Sequence, residues 1–193
     1  FMRKTILSIL LFAFAVSVKA QNVAGNCYRG FVDAGYTIGF RDYDFNRFEI
    51  NTSHGYQINP YFFVGGGTGL HFMPSYKTSG SGEIALDTRD SKVDIPVFAN
   101  LRGTFSKGRF APFIDAKAGT YVNNNGGMYI NASIGLRISV NSKQAVDIMV
   151  GYTDEKLEFE TFGHFVSDYS LDYTRTPVKR EAEGIAIKVG YEF

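Results

Sequence analysis

From Glu183 to Phe193 the chain alternates at every step. Ile185, Ile187, Val189, Tyr191 and Phe193 interleave with Gly184, Ala186, Lys188, Gly190 and Glu192. Successive side chains on a strand point to opposite faces, so this pattern predicts a β-strand with one greasy and one small or charged face. The same period recurs upstream over 28–40, 48–58, 61–72, 92–102, 110–122, 130–140 and 146–153. Asn59-Pro60, Ser106 to Arg109 and Asn141 to Lys143 separate some of these runs as tight turns, and Arg41 to Asp44 is a short polar loop. Proline at position 60 cannot continue a ladder, and Asn125-Gly126 favours the left-handed conformations of a hairpin turn. Two segments lack the period and read as long loops, Met73 to Ser91 and about Glu155 to Pro177.

The face opposite the apolar one decides how these strands assemble. It carries Arg29, Asp33, Glu49, Asp94, Arg102, Asp115, Lys117, Arg137, Asp147, Lys188 and Glu192, spread over the strands and nearly balanced in sign. If that face met water, the apolar faces would need a covering layer, and the chain offers no helix to supply one. With the apolar faces on lipid, the charges meet inside and can neutralise one another, as burial requires. The predicted fold is therefore all-β: an eight-stranded antiparallel up-and-down transmembrane β-barrel with a charged, side-chain-filled interior and no wide channel. Connections that alternate between tight turns and longer loops, with both termini on the tight-turn side, fit that parity. Phe72, Phe105, Phe110, Tyr152, Tyr191 and Phe193 fall near predicted strand ends, where interfacial aromatic belts sit. A soluble eight-stranded barrel would carry the opposite polarity, apolar inside and polar outside.

Composition adds context. A length of 193 residues suits one domain, and a net charge of +1 leaves no basic nucleic-acid footprint. Arg3 and Lys4, the apolar run Thr5 to Val16 and Val18-Lys19-Ala20 read as a cleaved signal peptide over residues 1–20, leaving 21–193 as the barrel domain. Cys27 is the only cysteine, so no internal disulfide can form. After the signal no apolar run is long enough for a helical span, so only a barrel could place the chain in a membrane.

The signal ending in Ala20-Gln21, the stretch Gly55-Tyr56-Gln57-Ile58-Asn59-Pro60-Tyr61-Phe62-Phe63-Val64-Gly65-Gly66-Gly67 and the terminal Val189-Gly190-Tyr191-Glu192-Phe193 resemble outer-membrane β-barrel domain proteins of Bacteroides-like bacteria. Within the last stretch, Val189, Tyr191 and Phe193 resemble the assembly signal of such barrels. The resemblance implies an outer-membrane location, contact with outer-membrane lipid and lipopolysaccharide, and handling by the barrel-assembly machinery. It fixes no activity.

Candidate chemistry is sparse. Gly65-Gly66-Gly67-Thr68-Gly69 is followed by more strand, not by the helix start a dinucleotide fingerprint needs, so these glycines are expected to make room for long charged neighbours inside a narrow barrel. His54, His71 and His164 fall on an outer face, an inner face and a loop, so they form no metal cluster by spacing, and no cofactor is expected. His164 and Ser167 do not form the pattern of a lipid A deacylase. The acidic Asp154, Glu155, Glu158, Glu160, Asp168 and Asp172 make a solvated loop or a divalent-cation bridge to lipopolysaccharide phosphates. Tyr76, Tyr169 and Tyr173 are candidate loop contacts to an extracellular or envelope protein partner. The expected role is structural or in surface interaction through the long loops. The alternatives are a narrow porin-like channel, a lipid-modifying enzyme and a soluble periplasmic ligand-binding barrel.

Overall fold

Each apolar–polar run forms the strand its period predicts. The computed structural model describes residues 27–40, 46–77, 86–123, 127–141, 144–167 and 170–193. They form eleven strands: β1 Cys27–Phe40, β2 Arg47–Asn59, β3 Phe62–Met73, β4 Tyr76–Lys77, β5 Leu86–Arg89, β6 Lys92–Asp94, β7 Pro96–Thr104, β8 Phe110–Tyr121, β9 Met128–Ser139, β10 Ala145–Ser167 and β11 Ser170–Glu192. Eight of them close a barrel. Hydrogen-bonded neighbours run β11-β1-β2-β3-β7-β8-β9-β10, and β10 pairs with β11 to complete the ring. Every pairing is antiparallel, from Phe31↔Glu192 between β1 and β11 to Ala145↔Glu192 between β10 and β11. Closure removes the free edges that would expose backbone amides to hydrocarbon. The predicted signal peptide lies outside the described residues.

The alternation sets the faces. Ile134, Ile187 and Ile148 are 63%, 55% and 51% exposed on the outside, while Glu49, Asp94 and Lys188 are essentially buried within. On β11 the outward apolar run from Ile185 to Phe193 spans roughly 26 Å at about 3.3 Å per residue. Tilted by about 40°, it covers roughly 20 Å of height, close to the apolar band of an outer-membrane barrel. Aromatic rings ring both ends of this band. Phe40 meets Tyr152 at 6.2 Å and Phe48 meets Phe72 at 5.9 Å at one end, and Tyr191 stacks on Phe193 at 6.3 Å at the other.

Three features depart from the sequence reading. First, the segment 155–177 is not a loop, because β10 and β11 run on as one continuous hairpin with an unbroken register from Ala145↔Glu192 to Ser167↔Ser170. Second, the 73–91 connection carries strands of its own: β5 pairs with Glu160 to Phe162 of β10, and β4 pairs with β5. The predicted run 92–102 forms as β6 and β7, with β6 paired to the end of β3. β6 and β7 keep one register against β3, and the break between them falls at Ile95, just before Pro96, which has no N–H to donate. Third, the glycines of β3 make room for rings and an amide rather than for charged chains. A Cβ on Gly65 would lie 2.7 Å from the Phe63 ring, one on Gly67 would lie 2.7 Å from the Phe98 ring, and one on Gly69 would meet the Asn51 amide.

Candidate functional site

The inward phase of each strand delivers charged, amide and aromatic side chains into the lumen, and the antiparallel register stacks them into layers. In the middle layer, Lys117 Nζ donates to Asp33 Oδ2 at 2.6 Å, and Lys188 Nζ donates to Glu49 Oε1 at 2.6 Å. Asn51 Nδ2 donates to Asp33 Oδ1 at 3.2 Å, and Lys188 also reaches Asn131 Oδ1 at 3.2 Å. Each buried ammonium thus has a carboxylate, with amides filling further hydrogen-bond positions. Without such pairing, burial of these charges would be prohibitive.

A second layer is built on Arg102. Its Nε donates to Asp115 Oδ2 at 2.9 Å, and its Nη1 donates to Asp147. Asn100 Nδ2 also donates to Asp115 Oδ2, at 3.0 Å. The guanidinium carbon lies 4.0 Å from the Phe31 ring centre and 4.4 Å from that of Phe113, so two aromatic rings fix it between two carboxylates. Phe31 in turn meets Phe63 edge-on at 4.9 Å. This layer fills the lumen with side chains.

Toward the long-loop end the lumen changes character. Arg47 reaches Glu49 at 3.2 Å and also pairs with Glu155. The Tyr121 hydroxyl donates to Glu155 Oε2 at 2.7 Å and lies 2.8 Å from His71 Nδ1, whose ring turns Nε2 to Asn51 Oδ1 at 3.1 Å. Above these groups Met73, Phe98, Tyr121, Tyr129, Leu157, Phe159 and Ala182 form a buried apolar cluster, with Tyr76 and Val178 packed against it. Arg89 and Asp94 pair beside it, and the Arg89 guanidinium lies 5.9 Å from the Phe159 ring. Together they close the lumen at this end.

At the short-turn end the lumen opens. Arg137 Nε donates to Glu192 Oε2 at 2.6 Å and its Nη2 to Oε1 at 3.0 Å, a two-pronged grip, and Arg29 pairs with the same carboxylate. A cavity of about 450 Å³ opens beneath them.

All eleven residues assigned to a charged lumen from the alternation lie on the inward face, with Arg29 and Arg137 partly exposed at the open mouth. The sequence reading missed Arg47, Arg89 and Glu155. Arg47 is in phase with Glu49 and Asn51, and Glu155 is in phase with Thr153, so extending the alternation by one step at each strand end would have found both. His71 faces inward and is fully buried. His54 faces outward with Nδ1 2.5 Å from the Tyr28 hydroxyl and Nε2 2.8 Å from that of Thr52. Tyr76 is half-buried and meets Phe159 edge-on at 5.7 Å, so it packs instead of standing at a free tip. Tyr169 lies outside the described residues. His164, Ser167 and Tyr173 lie where only the strand backbone is described, with His164 paired across from Tyr173. No group of three or more metal-ligating side chains occurs among the described residues.

A closed eight-stranded ring, charged within and apolar without, is the architecture of small outer-membrane β-barrels, and the chain has that fold. Among solved structures it is similar to Neisserial surface protein A, with a TM-score of 0.55 and 12% identity over 87% of this chain and 97% of that one. The outer membrane protein OprG from Pseudomonas aeruginosa gives a TM-score of 0.45 and 12% identity over 88% of this chain and 96% of that one. The outer membrane protein AlkL gives 0.47 and 12% over 91% and 94%. No protein-family model matches the chain, and no curated protein sequence matches it.

Proposed function

We propose that the protein resides in the outer membrane as a non-catalytic scaffold that holds a β-structured hairpin above the bilayer for surface interaction. The observation that carries this reading is the height of the β10–β11 hairpin. Its neighbours stop well below its tip: β9 pairs with β10 no further than Glu155, and β1 pairs with β11 no further than Glu183. Beyond them both arms continue to Ser167 and Ser170, a rise of roughly 40 Å at about 3.3 Å per residue. β5 adds to this stem and β4 adds to β5, so the projection is a small sheet whose base packs on the apolar cluster at the outer end of the lumen. A segment whose only task is to connect two strands needs a few residues. Ordering this much chain costs conformational entropy and is consistent with a recognition surface.

A filled lumen sealed at its outer end favours this reading over a porin-like channel. The charged interior disfavours a soluble barrel with an apolar ligand cavity. Lipopolysaccharide would surround the stem, the barrel-assembly machinery would insert the chain through Val189, Tyr191 and Phe193, and an extracellular or envelope protein would contact the sheet. The likeness to Bacteroides-like barrels belongs to the same reading.

The test has two parts. Outer-membrane extract run unboiled and boiled should show a heat-dependent shift in migration. On intact cells, an added protease should cut a cleavage site engineered between Ser167 and Ser170. A soluble protein without a shift, or a hairpin protected in intact cells and cut only after lysis, would overturn the proposal.

A further inference from the structure

The two ends of the lumen differ in charge balance, and the open end is the one left unbalanced. Its cavity of about 450 Å³ is lined by five cationic residues, Arg29, Arg102, Lys107, Arg109 and Arg137, against a single carboxylate, Glu192. Arg102, at the inner end, is already satisfied by Asp115 and Asp147. Arg29 and Arg137 share Glu192 between them, one carboxylate for two guanidinium groups. The Arg29 Nε is buried with no hydrogen-bond partner among the described residues. Lys107 and Arg109, on the turn between β7 and β8, have no carboxylate partner among the described residues. Lys107 Nζ instead sits 5.1 Å from the Tyr61 ring centre and the Arg109 guanidinium 5.9 Å from that of Phe110.

Everywhere else in this lumen a buried cation has its own carboxylate. Here five cations face Glu192 and the two carboxylates on Arg102, so about two positive charges remain around a cavity large enough for a small organic ligand. Guanidinium groups present planar donor pairs that match phosphate and carboxylate oxygens. A monocarboxylate would supply one negative charge, whereas a phosphate group near neutral pH supplies about 1.5 to 2 and three acceptor oxygens. We infer that the short-turn mouth of the barrel is a binding site for a phosphate-bearing anion, held by Arg29, Arg137, Lys107 and Arg109. In the membrane orientation of the fold this mouth faces the periplasm. The anion has two sources with the same chemistry there, a phospholipid headgroup or a soluble phosphate compound.

Calorimetric titration of the folded barrel in a phosphate-free non-ionic detergent tests this, with pyrophosphate as the probe and chloride holding ionic strength constant. Saturable one-to-one binding is expected, weakened at least tenfold by the double substitution Lys107→Ala and Arg109→Ala. Both residues are exposed turn positions, so the heat-dependent gel shift should stay unchanged and report that the variant is folded. Arg29→Gln, with the same folding control, should weaken binding as well. No saturable signal above the chloride control, or equal affinity in the folded double variant, overturns the inference. Repeating the titration in lipid discs separates the sources, and either result supports the site. Binding lost in phosphatidylglycerol discs but kept in discs of a phosphate-free glycolipid assigns it to the headgroup. Binding kept in both assigns it to a soluble phosphate.

Discussion

The two halves of the β10–β11 hairpin share a period, a register and a pair of strands, yet their faces carry opposite chemistry. In the lower half Ile148, Val150 and Tyr152 of β10 and Ile185, Ile187 and Val189 of β11 point outward, while Asp147, Lys188 and Glu192 point inward. In the upper half Asp154, Lys156 and Glu158 of β10 and Glu181 and Glu183 of β11 take the outward positions, and Leu157, Phe159 and Ala182 are buried inside. The backbone does not change at the crossing, so what changes is the solvent. Below Tyr152 the outside is hydrocarbon, which rejects charge; above it the outside is water and headgroups, and the hydrophobic effect drives the apolar residues inward. The inversion between Tyr152 and Asp154 marks the outer membrane boundary to within a residue or two.

The largest break in this comparison should come from the lower interior. Arg102→Met keeps an apolar stem between Phe31 and Phe113 but leaves Asp115 and Asp147 buried without their guanidinium. Removing one partner of a buried ion pair costs about 3–5 kcal/mol, read as a lowered urea midpoint for the gel-shifted form. The next effect belongs to the lower exterior. Ile148→Arg, at the pair with Val189 halfway along the outward apolar run, places a charge near mid-bilayer at a cost of about 2–4 kcal/mol. The matching change above the boundary, Glu181→Arg, loses only the exposed 3.2 Å pair with Lys156 and should stay within about 1 kcal/mol. Equal effects at the two positions would mean the boundary is misplaced.

A smaller effect is expected from the upper interior, and it should be local. Phe159→Ala removes a ring packed against Tyr76 and Arg89. It should raise the population of the opened stem by about 1–3 kcal/mol and speed proteolysis there. The barrel's heat-dependent shift should not move. Loss of the shift would show that stem and barrel fold as one unit.

The same inversion explains what was legible in the sequence. Lower strands read correctly because outward Ile, Val and Leu alternate with inward charges, a pattern with a single physical solution once no covering helix exists. From Asp154 to Glu160 the chain also alternates, but with the faces exchanged over a stretch too short to read as a period. A reading that expects apolar residues at the lipid-facing phase meets Asp154, Lys156 and Glu158 there and stops the strand. The short β4 and β5 carry too few residues for a period to show, and only their pairing with each other and with β10 makes them strands. The charge imbalance at the open mouth was hidden for another reason. Lys107 and Arg109 belong to a turn, and which turns and strand ends share one cavity is a property of closure, not of local pattern.

The smallest prediction concerns the boundary itself. Asp154 faces outward directly across from Glu183, with Glu181 near, and its carboxyl is held above the ordinary value, first by partial burial and then by those two carboxylates. A carboxyl whose pKa is higher folded than unfolded contributes stability that is fully present below the unfolded value and is lost as pH rises through the folded one. Asp154→Asn should therefore match or trail the parent protein in acid and overtake it as pH rises to neutral, by less than about 1 kcal/mol because the site is only partly buried and solvent screens it. Unfolding midpoints of both proteins across that range read the sign directly. A variant less stable at neutral pH would mean that a cation, Lys156 or a bound metal ion, already compensates the repulsion. That result would give the outward carboxylates a holding role at the boundary, where the inversion alone requires only that they be wet.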